Sequence, residues 1–228
     1  MAKKRKERPR AATAEQMPSP AASTVSKIHK ESKANASSIL PAPPLSRLYA
    51  YVIDWILGGI VSGLPAVLVY LALTHKNAML PDLYVFEAMG YPWSVGIVVG
   101  LSCVLAAIVY FVLIPLLAWP GQTPGKRIAH VRVATLDGGL PSVGRLIWRQ
   151  VIVGFLLEGS GYVVSRYIRE TMVLVTRVDV NYYWEIAGMI ITAVSLLMFL
   201  IVPARRCVHD CLAGTRVVPT EGHPLYQD

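Results

Sequence analysis

Between Glu87 and Lys126 the chain carries no charged residue, and the centre of that stretch, about 95–118, is almost wholly apolar. A soluble domain usually carries about 25% charged residues. Here charged residues are 16% and hydrophobic residues 54%, and mean hydropathy is +0.48. A bilayer core needs about 20 apolar residues, with a range of about 17–25. Two more blocks meet that length: 48–73, whose one charge is Asp54, and 186–202, which has none. A fourth block, 147–165, holds Glu158 and the run Gly159-Ser160-Gly161. Its strictly apolar part is short, so a re-entrant or interfacial helix stays open beside a spanning one. The fold class predicted is an all-α integral membrane protein. It is a four-transmembrane-helix bundle with helices at about 48–73, 95–118, 147–165 and 186–203.

Charge gives the orientation. Lys and Arg number 22 against 14 Asp and Glu, a net charge of +8. Residues 1–46 hold nine of the basic residues and three acids, so that segment carries +6 of the excess. The rest of it is mostly Ala, Ser, Pro and Thr with no aromatic residue, which cannot bury enough apolar area to offset chain entropy. Residues 1–44 are predicted to be a disordered basic tail, with 219–228 a short C-terminal tail. With four helices, Lys and Arg divide 18 to 4 across the bilayer, which satisfies the positive-inside rule with both termini cytoplasmic. A three-helix chain would put Arg205 and Arg206 outside, which the rule disfavours. The run KKRKERPR is read as a solvated tail or as an attractor of anionic lipid headgroups, not as a nucleic-acid patch. Trp93, Trp119, Trp148 and Trp184 fall at predicted helix ends, where amphipathic rings favour the headgroup layer.

Two spacings predict helix contacts. Gly59-x-x-x-Gly63 and Gly96-x-x-x-Gly100 let backbones approach closely, and packing of the first helix on the second is the simplest use of them. The loop 119–149 carries a weakly alternating run at 128–134 and a turn at Leu136-Asp137-Gly138-Gly139, and 215–218 reads as a second short strand. A small cytoplasmic strand element is expected.

Four charges are candidate functional residues. Asp54 lies two helical turns beyond Arg47, about 10 Å along the axis, deep enough that a carboxylate needs a partner. It reads equally as a proton or cation site and as a buried clamp. Glu158 lies nine residues after Arg149 at similar depth, and the two carboxylates could share one proton or cation. Asp210 sits in Cys207-Val208-His209-Asp210-Cys211 and could reach Arg47 at the same rim. That cluster offers three closely spaced donors where zinc takes four, so no metal and no cofactor is expected. Gly121, Pro124, Gly125 and Lys126 form a loop motif that is one residue short of a phosphate loop and ends in Arg127. No nucleophile set or dinucleotide fingerprint is present, and an enzyme is not expected.

Three stretches together resemble the RDD family of small multi-pass membrane proteins: SRLYAYVID (46–54), GQTPGKRIAHVRVATLDGG with LPSVGRLIWRQ (121–150), and RRCVHDCLAGTRVV (205–218). The resemblance spans about 45–218. It implies that Arg47 and Asp54 are the family's arginine and first aspartate, with Asp210 the match for the second. Glu158 and the charged external loop expected at 165–185 have no counterpart in it. It further implies a bacterial inner-membrane protein, for which transport of small cations coupled to protons is the leading expectation. The alternative is a non-catalytic scaffold or partner subunit whose buried charges are structural. Expected partners are the bilayer, anionic headgroups, and a homo-oligomer or another membrane protein.

Overall fold

The computed structural model describes residues 40–75, 82–159 and 162–220. The expectations for most of the basic tail (1–39), for Lys76, for Ser160 and Gly161, and for 221–228 lie outside the described residues.

The chain is fastened earlier than the predicted tail boundary. Ala42 is fully buried, and its N–H donates to Val217 O at 3.0 Å. Helix α1 then runs Pro44–Thr74, with Pro44 in the first turn, where its missing N–H costs nothing. Its buried residues are Ala50, Asp54, Gly58, Ser62, Ala66 and Tyr70, a single stripe of spacing four. Leu48, Trp55, Ile60 and Leu64 on the other faces are exposed. Only 22% of the most apolar window of α1 is covered by protein, so the remaining apolar surface requires lipid.

A short helix α2 (Val85–Ala88) precedes α3 (Trp93–Ala118). The winding of α3 widens over its last ten residues, Val109–Ala118, around Pro115. The segment 119–142 holds a helical turn, α4 (Pro124–Ile128), and strand β1 (Val131–Thr135). Helices α5 (Val143–Glu158) and α6 (Tyr162–Thr176) follow, then α7 (Asn181–Ile201), α8 (Val208–Leu212) and strand β2 (Thr215–Pro219). The two expected strands pair antiparallel, with Val131 opposite Pro219 and Val133 opposite Val217. Val131 and Val217 pack with Ala42 and Ala50, so the sheet sits against the first turns of α1.

Helices α1, α3 and α7 are each long and apolar enough to cross a membrane, with 31, 26 and 21 residues. The block 147–165 is not one straight helix. It breaks after Glu158 at Gly159, whose φ is +64°, and α5 and α6 meet at 75°. The two qualify as a crossing only when taken together.

The segment 165–185, expected to be an external loop, is largely helix α6 packed between α1 and α3. This also revises the glycine assignment. Helices α1 and α3 do meet, through Ala66, Tyr70, Val99 and Cys103. The glycines, however, open onto α6. A Cβ on Gly59 would touch Val163, and one on Gly63 would touch the Tyr167 hydroxyl, while Gly96 faces Leu174 and Gly100 faces Thr171. Two of the charges on α6 are matched locally. Arg166 pairs with Glu170 one turn on at 2.6 Å, and the other Glu170 oxygen accepts the Leu83 N–H at 2.9 Å.

A Cβ built on Gly100 would lie 2.0 Å from Thr171 Oγ1 and 2.8 Å from Leu83 Cδ1. Gly100→Val should therefore destabilise the α3–α6 contact by about 1–3 kcal/mol. Thermal unfolding in detergent is the measurement, and Thr171→Ala in the same chain should recover part of the loss.

Candidate functional site: a buried charge cluster under the sheet

Asp54 projects from the buried stripe of α1 and is 4% exposed. It is enclosed by protein and not by hydrocarbon, because segment 121–126 folds back against α1. Gly125 N–H donates to Oδ1 at 2.8 Å, Lys126 Nζ to Oδ2 at 3.1 Å, and the Thr123 hydroxyl also donates to Oδ2. Tyr110 of α3 donates its hydroxyl to Oδ1 at 3.1 Å. The glycines and the proline of this segment have definite tasks. Gly121 takes φ +75° with its Cα close to Val133 O, a place a Cβ could not occupy. Pro124 opens α4. A Cβ on Gly125 would sit 2.5 Å from Ala50 O and 2.8 Å from the Asp54 carboxylate. The loop dismissed as a phosphate site is thus an anion receptor after all, and the anion is a side chain of the same molecule.

Asp210 is fully buried on α8 and joins two other elements. Oδ2 receives Arg47 of α1 at 2.9 Å; Oδ1 receives Arg149 of α5 at 2.9 Å (Nη2) and 3.1 Å (Nε). Arg47 also donates to Arg205 O and lies 4.9 Å from the Phe199 ring centroid. Thr215 Oγ1 donates to Oδ1 at 3.2 Å, and Arg206 donates to Asp210 O at 2.9 Å and to Thr215 O at 3.0 Å. Burial acts to raise the Asp210 pKa, but Arg149, then His209 and Arg47, outweigh it and hold the carboxyl well below the usual carboxylate range.

Glu158, 2% exposed at the end of α5, takes a third set of partners. Its Oε2 lies 2.6 Å from His209 Nδ1, and its Oε1 accepts Ser195 Oγ–H at 2.8 Å and His209 N–H at 2.9 Å. Asp54 and Glu158 therefore do not share a proton or a cation, because each is matched separately. A cavity of about 320 Å³ lies beside Glu158, bordered by Arg47, Lys126, Arg149 and His209 and by the apolar Leu48, Leu196 and Phe199.

Sequence reasoning named Lys126 only as part of a loop motif and Arg149 only as a topology charge. It assigned no partner to Glu158 and passed over Ser195, Thr123 and Tyr110. The usable signal was the number of acids inside apolar blocks, each of which requires a donor from some other segment. Cys207, His209 and Asp210 bring one ligand atom each to within 4.8 Å of one another. Both Asp210 oxygens and His209 Nδ1 already have partners, two guanidiniums face the carboxylate, and burial pushes the Cys207 thiol up to about 11. Those features oppose a cation at this place.

Residues 41–214 match the family model described as RDD family. The chain belongs to the RDD family. No curated protein and no solved structure matches it. In this RDD protein, Arg47 and Asp210, two of the three residues the resemblance singled out, form one ion pair. The third, Asp54, holds the loop 121–126.

A carboxyl with a depressed folded pKa stabilises the fold fully above its unfolded value, about 3.9, and loses that contribution as pH falls through the folded value. The Asp210 contribution should hold from pH 7 to about pH 4 and decline only below it. Unfolding measured against pH should show that acid-side decline, and Asp210→Asn should remove it while lowering stability throughout.

Proposed function

We propose that this RDD protein crosses a cell membrane four times with both ends cytoplasmic, and that it performs proton-linked transport with Glu158–His209 as the proton-carrying pair. The fourth crossing is the bent pair α5–α6. Arg149 of α5 meets α8 at the sheet end. At the other end of the pair, Leu174 packs on Leu83, and Arg177 pairs with Glu87 at 2.9 Å, both in the connection between α1 and α3. The 18 to 4 division of basic residues supports the orientation.

The observation that carries the transport reading is a buried carboxylate, hydrogen-bonded to a histidine, at the wall of a cavity. A carboxylate hydrogen-bonded to an imidazole is a pair through which a proton can be passed. Asp54 and Asp210 are each locked by a cation and several donors, so they serve the fold. A bare cation is poorly matched to a wall with three cationic side chains and one carboxylate.

The test uses protein in vesicles with a trapped pH indicator. An imposed pH gradient should decay faster than in empty vesicles when a small carboxylate is supplied, more than with Na⁺ or K⁺, and Glu158→Gln should remove the acceleration. Asp54→Asn should lower the yield of folded protein while leaving the rate per folded molecule. Decay equal to that of empty vesicles, or untouched by Glu158→Gln, overturns the reading.

One observation favours a second reading, a membrane partner subunit. Only 11% of the most apolar window of α7 is covered by protein. Disulfide crosslinking from cysteines placed on its exposed face, such as Leu197→Cys, separates a protein-covered helix from a lipid-covered one.

A further inference from the structure

We infer that the cavity between α1, α5 and α7 is a binding site for an anionic phospholipid of the adjoining leaflet. The inference uses the same cavity as the proton-linked reading but stands on its wall charges, whatever is or is not transported.

The first argument is where the charge faces. Lys126, Arg47 and Arg149 border the cavity, and their counter-ions Asp54 and Asp210 do not. The acids neutralise the bases from behind, so the surface presented to a ligand carries three cations against Glu158, which is itself paired with His209. A guanidinium already oriented by a carboxylate keeps further N–H groups in a fixed fork, the geometry that suits phosphate oxygens. Gln150 borders the same wall and is held by Arg149 at 3.3 Å.

The second argument is the mouth. Among the described residues, α1 and α7 share no extended contact. Leu48 on α1 and Leu196 on α7, 52% and 56% exposed, stand at the cavity on helices long and apolar enough to cross a membrane. A ligand entering here passes between two membrane helices, with an apolar part along Leu48, Leu196 and Phe199 and an anionic part at the bases. The volume, about 320 Å³, holds a headgroup and the first carbons of its chains. Basic pockets between helices at the membrane edge are suited to such headgroups.

Native mass spectrometry of the full chain, released from micelles doped with phosphatidylglycerol or phosphatidylcholine, tests this. One phosphatidylglycerol should be retained in preference to phosphatidylcholine. Gln150→Glu, which keeps the shape and adds a negative charge, should weaken retention about fivefold, the effect of one charge near a membrane surface. Leu196→Trp, which fills the mouth, should weaken it too. Equal retention of the two lipids, or retention unchanged in both variants, overturns the inference. So does full competition by inorganic phosphate, which would mean a water-borne anion, or a second copy of the chain in place of lipid. Glu158→Gln separates the two readings: lipid retention should stay or strengthen while proton-linked flux is lost. Flux without lipid preference removes this inference alone, and lipid preference without flux removes the transport reading alone.

Discussion

A carboxylate two turns inside an apolar helix has to be matched, and here it is matched from outside the helix. Asp54 collects a backbone N–H, two hydroxyls and an ammonium, three of the four from segment 121–126. That requirement draws the loop down onto α1 and puts Gly125 where no side chain fits. It also fixes β1, whose Val133 N–H donates to Gly121 O at 2.8 Å. With β1 placed, β2 has its partner and α8 its position. The order of dependence runs from one buried charge to a loop, a strand, a sheet and a second charge.

The second charge closes the ring. Asp210 reaches back to Arg47 at the start of α1 and across to Arg149 on α5. Three segments far apart in sequence are tied at one carboxylate, and removing it would leave two buried guanidiniums unmatched, the costly way to break such a network. His209, the preceding residue, gives its Nδ1 to Glu158 at 2.6 Å while its Nε2 lies 3.9 Å from Asp210 Oδ1. Adjacent residues of one short helix thus divide the work, Asp210 holding the cap and His209 bordering the cavity.

Much of this was legible in the sequence. Apolar blocks give α1, α3 and α7, because bilayer thickness sets a length that composition can meet or fail. The strand pair was legible from β-branched alternation, and Asp54 was legible as a residue in need of a partner. The identity of that partner was not, since Lys126 is 72 positions away and nothing local marks it. Helix α6 was missed because Arg166, Arg169 and Glu170 give it the composition of a loop. The matching of Arg166 and Glu170, an ion pair one turn apart and a cap on Leu83 N–H, is visible only in three dimensions. The glycine pairs signalled close approach correctly but not what approaches, since a small residue has no preference among neighbours.

Asp54 anchors the loop 121–126 to α1. A double-mutant cycle of Asp54→Asn and Lys126→Met, followed by unfolding in detergent, tests this most directly. Each single change should destabilise the fold, and the double mutant should be less destabilised than their sum, with a coupling of about 0.5–3 kcal/mol. Additive losses, or a stability unmoved by Asp54→Asn, would contradict the account.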